Sequence, residues 1–149
     1  MDQKIDIAKP NSPGCTCMRI RKASRLVSQI YDQFLEPHGL TITQFGVLAN
    51  LAWHDGIAIG ALAERLIMDP TTLTRTLRPL RRDGFVKLLS DPKDRRARRL
   101  HLTDSGRERL AKAKPAWIAA QHRVDEAIGS EQAPALNAAL DHVLERLSQ

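Results

Sequence analysis

The sequence predicts a mainly α-helical fold carrying one small β-hairpin. Apolar residues recur every three or four positions over several stretches of the 149 residues, and residues 98–102 alternate as a strand would. Aromatic residues are 4% of the chain, so a core must come from Leu, Ile, Val and Ala, a composition that favours helices. Hydrophobic residues make up 42%, enough for a real core, and the length suits one compact domain or a small domain with an extension.

Residues 1–14, with Pro10, Asn11, Ser12, Pro13 and Gly14, read as a flexible arm, and residues 15–149 as a single domain. From about Met18 to Glu36 the apolar positions Ile20, Ala23, Val27, Ile30 and Phe34 make one helical stripe, ended by Pro37, His38 and Gly39. Thr43 is the expected N-cap of a second helix, Gln44 to about Trp53, broken by His54-Asp55-Gly56. Ile59–Leu66 is a third, short helix, and Ile67-Met68-Asp69 a turn. Asp69 is a good N-cap, and Pro70 a good first residue because proline's missing N–H is not needed there, so a fourth helix runs to about Asp83 and stops at Gly84. Phe85–Ser90 reads as a strand, Asp91-Pro92-Lys93-Asp94 as a turn, and the alternation of Arg98, Leu100 and Leu102 with Arg99 and His101 as the return strand. Thr103 caps a long helix from Asp104 to about Ile128, with a kink or break expected at Pro115. Gly129-Ser130 starts the last helix, whose Leu136, Leu140, Val143 and Leu147 suit a helix-to-helix seam.

The formal net charge is +6, which points to a polyanionic partner without choosing between DNA, RNA and a membrane surface. Its placement is more informative. Residues 71–99 hold ten of the 23 Lys/Arg and three of the 17 Asp/Glu, a net of +7, so the rest of the chain nets −1. A local excess is a binding footprint. On the fourth helix, Leu73, Leu77 and Leu80 fall within about 40° of one direction. Thr71, Arg75, Arg78 and Arg82 cluster on the opposite side, with Thr72 and Thr74 as further candidate contacts. A short helix, a three-residue turn and this helix form a helix-turn-helix. The second helix suits the major groove, where arginine donates two parallel bonds to guanine and threonine meets a phosphate or a thymine methyl. A solvated basic face is the plainer alternative. The hairpin that follows argues against it, because its turn gathers Lys93, Arg95 and Arg96 at a thin tip suited to a narrow minor groove. Asp94 beside them is read as holding a guanidinium in one orientation.

These residues resemble the multiple antibiotic resistance regulator (MarR) family of transcription factors. The matching series runs from Leu40-Thr41-Ile42-Thr43-Gln44-Phe45 through Leu62-Ala63-Glu64-Arg65-Leu66 and Leu73-Thr74-Arg75-Thr76-Leu77 to Leu80 and Gly84-Phe85-Val86. Its most specific part is Asp91-Pro92-Lys93-Asp94-Arg95-Arg96 followed by Leu100-His101-Leu102-Thr103-Asp104-Ser105-Gly106. The resemblance implies a winged helix-turn-helix DNA-binding lobe at residues 40–103 and a helical dimerisation region at 15–36 and 104–149. It also implies a triangular homodimer on double-stranded DNA, Arg96 as the wing's DNA contact and Asp94 as its orienting partner. Pro79 departs from the pattern, and a bend there would alter how deep Arg82 sits. Repression is the family's commoner mode, and release by a small aromatic or phenolic effector is common. The implied effector pocket would lie among the first helix, the end of the second and the start of the fifth, with Arg19, Trp53 and His54 as candidate ligand contacts; an ordinary packing or turn role for Trp53 and His54 is the alternative.

Cys15 and Cys17 are a candidate redox switch, since a helix N-terminus and nearby Arg19 and Arg21 favour the reactive thiolate; inert thiols are the alternative. No second Cys/His pair stands close enough to complete a zinc site, and no metal or cofactor is expected. An enzyme is not expected either. The chain has no glycine-rich phosphate loop, nucleophile elbow or H-E-x-x-H, and its five histidines are scattered. No apolar run approaches the roughly 20 residues needed to span a bilayer, and Met1–Pro13 lacks the apolar core of a signal peptide, so a cytoplasmic protein is expected. A non-regulatory nucleic-acid-binding winged-helix module stays open as the rival reading.

Overall fold

The computed structural model describes residues 14–148. The arm expected at residues 1–14 lies outside them except for Gly14. The order is α1 (Thr16–Leu35), a 3-10 turn (Glu36–His38), α2 (Ile42–Trp53), β1 (Ile57–Ala58), α3 (Ile59–Leu66), α4 (Pro70–Arg82), β2 (Val86–Ser90), β3 (Arg98–Leu102), α5 (Asp104–Ile128) and α6 (Gln132–Leu147). The strands form one antiparallel sheet in the order β1-β3-β2, with Ile57 opposite Leu100 and Val86 opposite Leu102.

The helix-turn-helix forms where local chemistry dictates. Asp69 caps α4 by accepting from the Thr72 N–H at 2.9 Å, and Pro70 opens the first turn. Leu73, Leu77 and Leu80 are buried along one stripe. The turn before it has a left-handed Ile67 (φ 51°), an uncommon conformation for a β-branched residue, closed by the Met68 N–H on the Ala63 carbonyl at 2.9 Å. The main core joins α2, α3, α4, the sheet and α5 around Leu48, Leu51, Leu62, Leu73, Leu80 and Leu100, each under 3% exposed. A second cluster along α1 and α5 holds Tyr31, Ala120 and Val124, with Val27, Ile30 and Phe34 packed on it. The Phe45 and Trp117 rings stack at 5.7 Å, and Trp117 touches both clusters.

Several expectations need correction. The N-cap of α2 is Thr41, not Thr43: Thr41 Oγ1 accepts from the Gln44 N–H at 3.2 Å, while Gln44 Oε1 accepts from the Thr41 N–H at 3.0 Å, a reciprocal box that Thr43 cannot make. Of the kink or break expected at Pro115, the break does not occur: helix α5 is continuous there, because a proline removes one N–H and the remaining bonds carry the helix across. Helix α4 likewise runs through Pro79 to Arg82. The last helix begins at Gln132 after Glu131, two residues beyond Gly129-Ser130. Its apolar seam is not covered by its own chain: Leu136, Leu140, Leu144 and Leu147 are exposed, and only Ala133 is buried. No described helix is long and apolar enough to cross a membrane.

Candidate nucleic-acid interface

Helix α4 presents two opposed faces. Its leucine stripe locks into the core, which leaves Thr71, Thr72, Thr74, Arg75, Arg78, Arg81 and Arg82 exposed on the remaining arc. The threonines differ in what they have left to offer. Thr72 donates its hydroxyl to the Asp69 carboxylate, and Thr74 donates to the Pro70 carbonyl at 2.8 Å. Both therefore remain as acceptors only, whereas the Thr71 hydroxyl has no partner among the described residues and keeps its donor. Arg75 and Arg78 have no ion pair among the described residues; Arg82 is bonded to Asp83 at 3.0 Å, which raises its already high pKa through that hydrogen bond and the neighbouring charge.

The hairpin carries the second basic group. Lys93, Asp94, Arg95 and Arg96 are all exposed in the seven residues between β2 and β3. The loop is shaped by its own backbone: the Asp91 N–H donates to the Ala97 carbonyl at 2.9 Å, and the Ala97 N–H to the Asp94 carbonyl at 3.0 Å. The Asp94 carboxylate is not bonded to the Arg96 guanidinium in the structure. It accepts from the Arg96 backbone N–H at 3.0 Å, a local turn bond that leaves the Arg96 side chain without a partner among the described residues.

The orienting carboxylate is Asp91, and the guanidinium it holds is Arg99. Arg99 Nε and Nη2 each lie 2.9 Å from Asp91 Oδ2, while Nη1 donates to the Gly56 carbonyl at 3.2 Å. The Lys93 N–H also donates to Asp91, and with Arg99 it holds this carboxyl below its ordinary value. The adjacent Asp55 accepts from the Leu102 N–H at 3.1 Å and meets His101 Nδ1 at 3.2 Å. The turn between α2 and β1 therefore grips β3 at several points and fixes the hairpin against the core. Sequence reasoning missed this clamp, since Asp91 and Arg99 meet only once the strand register is known.

The three candidate ligand contacts come from two elements, the start of α1 and the end of α2. Trp53 stands 86% exposed at the end of α2, His54 is the half-buried C-cap residue there, and Arg19 lies near the start of α1, donating to the Gly14 carbonyl. The aromatic pair at the α2–α5 junction is Phe45 with Trp117 instead. A cavity of about 450 Å³ between α1 and α2 is lined by Gln29, Asp32, Gln33, Glu36, Thr41 and Gln44, with Gly39 and Leu40, a surface suited to a cation rather than to a carboxylate ligand. Cys15 and Cys17 are exposed free thiols at the start of α1. No group of three or more His, Cys, Asp or Glu able to hold a metal occurs among the described residues.

A helix-turn-helix whose second helix exposes threonine and arginine, followed by a hairpin with an arginine-bearing tip, defines a winged helix-turn-helix protein. The comparisons agree. The MarR family model matches residues 40–97. The M. tuberculosis transcriptional regulator MosR, solved in complex with DNA, is 36% identical, with 89% of this chain and 96% of MosR covered and a TM-score of 0.79. The transcriptional repressor CouR, solved on a 23-mer DNA duplex, is 28% identical, with 87% and 92% covered and a TM-score of 0.78. The regulator SarZ of Staphylococcus haemolyticus is 32% identical over 90 residues, which are 60% of this chain and 61% of SarZ, so the match spans about three fifths of that relative. The chain belongs to the MarR family.

Proposed function

We propose that the chain is a sequence-specific double-stranded-DNA-binding transcription regulator, acting as a homodimeric repressor on a palindromic operator in the cytoplasm. The observation that carries this reading is the placement of Thr71, Arg75 and Arg78 on the exposed face of α4, with Lys93, Arg95 and Arg96 at the hairpin tip. None of these cations has an ion pair among the described residues. Unpaired arginine and threonine on a helix of groove-filling width recognise base edges, and a thin basic tip reaches a minor groove. That MosR and CouR were solved on DNA supports the same reading, and CouR's description as a repressor supports the sign of regulation. Exposed leucines on α6, with Met18 and Ile20 on α1, support pairing of two copies through these helices. The reading includes release from DNA either by a small aromatic ligand, for which the Phe45–Trp117 junction offers an aromatic wall, or by oxidation of Cys15 and Cys17, which are exposed. It excludes catalysis by the chain itself.

Selection from a random duplex pool, followed by gel-shift titration, tests the proposal. The expected site is a palindrome with half-sites about 10 base pairs apart, and Arg75→Ala and Arg96→Ala each lower its affinity without changing the melting temperature. Unaltered binding by both variants refutes the assignment. Equal affinity for random duplex or RNA would favour a non-regulatory nucleic-acid-binding module.

A further inference from the structure

Between α4 and β2 lies a concavity of about 450 Å³ lined by Arg78, Arg81, Arg82 and Lys87, with Val86 and Leu88 completing it. Four cations line it and no acid does. Arg78, Arg81 and Lys87 have no ion pair among the described residues, and the partner of Arg82, Asp83, does not line the space. Like charges gathered this way repel one another in the free protein, and a polyanion laid between them relieves that repulsion.

A neighbouring concavity of about 410 Å³ is lined by Pro70, Thr71, Thr74, Arg75 and Arg78. Arg78 borders both, so the two form one track along α4. Their chemistry differs. The stretch at Pro70–Arg78 offers hydroxyls beside guanidinium groups, the means of reading bases. The stretch between α4 and β2 offers cations beside aliphatic side chains, with no neutral side-chain hydrogen-bonding group to tell one base from another.

Geometry supplies the occupant. A helix in a major groove and a hairpin in the adjacent minor groove of one duplex straddle the sugar-phosphate strand that separates those grooves. That strand must pass between the two elements, and α4 and β2 enclose the basic concavity there. We propose that this concavity seats that strand, with Arg81 and Lys87 as phosphate contacts that contribute affinity without sequence preference. This rests on the DNA-binding reading above and adds two residues that neither helix periodicity nor the wing motif singled out. The half-buried Leu88 suits the apolar edge of deoxyribose, the buried Val86 forms the floor, and the cations suit the phosphates.

The test is the salt dependence of binding. The dissociation constant of the full chain is measured from low to moderate salt on its selected duplex and on an unrelated duplex, for wild type, Arg81→Gln, Lys87→Gln and the double variant. Each lost phosphate contact should lower the slope of log affinity against log salt by roughly 0.9. The double variant should therefore lose roughly 1.8 and weaken on both duplexes by the same factor, so that the preference between them is kept. Both side chains are exposed, so the melting temperature should not change. An unchanged slope in the double variant overturns the proposal, as does a loss confined to the selected duplex, which would mark base reading. Wild-type protein that binds neither duplex would remove the DNA-binding reading itself, and the strand seat with it.

Discussion

Replacing Gly106 by alanine should destabilise the fold, although the same change at Gly46 should stabilise it. Both glycines lie in helices, so helix propensity alone favours alanine at each by about 0.5–1 kcal/mol. Their surroundings decide the outcome. A Cβ at Gly46 meets nothing within 4 Å, whereas one at Gly106 falls 2.2 Å from the Phe85 carbonyl oxygen and 2.7 Å from Leu102 Cδ1. Ordinary carbon–oxygen contact needs about 1 Å more, and the obstacle is backbone. The first turn of α5 would have to lift from the link between α4 and β2. That link is held by the Thr103 N–H on the Phe85 carbonyl at 3.1 Å and by the Thr103 hydroxyl on the Gly84 carbonyl at 2.6 Å. Loosening one or both costs about 1 kcal/mol each, and misplacing Leu102 in the core adds about 1–3 kcal/mol. Set against the propensity gain, Gly106→Ala should lose about 2–3 kcal/mol, a fall in melting temperature of roughly 5–10 °C. Thermal and urea unfolding at one fixed protein concentration read both variants. A Gly106→Ala protein that melts within a degree of wild type, or shifts in the same direction as Gly46→Ala, would refute the packing argument.

The Asp91–Arg99 clamp predicts a counter-intuitive sign on the proposed DNA binding. Asp91→Asn removes a negative charge from the neighbourhood of a polyanion, yet it should weaken binding, and Arg99→Gln should weaken it by roughly tenfold, the scale of a lost charge-assisted bond. The double variant should be no worse than the poorer single one; tighter binding by Asp91→Asn would end the positioning role. At Asp55, partial burial pushes the carboxyl up, but the bonds from His101 and the Leu102 N–H outweigh it and leave it below its ordinary 3.8. A lowered folded value means stability that is complete above the unfolded value and is lost as pH falls through the folded one. Because Asp55 is well exposed, the contribution is at most about 1 kcal/mol. The difference in urea midpoint between wild type and Asp55→Asn should be steady near neutral pH and shrink below pH 3.8; a gap that persists at low pH would show that its origin is not the carboxylate charge.

Elements written in adjacent residues were legible in the sequence. Asp69-Pro70 followed by Leu73, Leu77 and Leu80 specifies where α4 begins and which way it faces, and the alternation at residues 98–102 marks the return strand. Strand β1 was not legible, because Ile57-Ala58 runs directly into α3 and becomes a strand only by pairing with β3 some forty residues later. Thr41 was recoverable: a threonine three residues before a glutamine is the capping-box signature, and Thr43 lacks that spacing. The candidate contacts on α4 and the hairpin follow from composition along a face, so sequence finds them and the structure shows them exposed. The Arg99 clamp, the Phe45–Trp117 stack and the contribution of Lys87 to a concavity with Arg81 depend on long-range register and packing, which no local pattern encodes.

The chain carries two tryptophans in contrasting settings. Trp117 is stacked on Phe45 where the two apolar clusters meet, while Trp53 projects into solvent a few residues before the turn that secures β3. Their intrinsic fluorescence is thereby separable: a shielded indole emits to the blue of a hydrated one and resists aqueous quenchers. A small molecule lodging at the helical junction would register on the blue component, and an event beside the hairpin's anchorage on the red one. Trp53→Phe would leave a single built-in dye for the junction, and no chemical label would be needed to watch it.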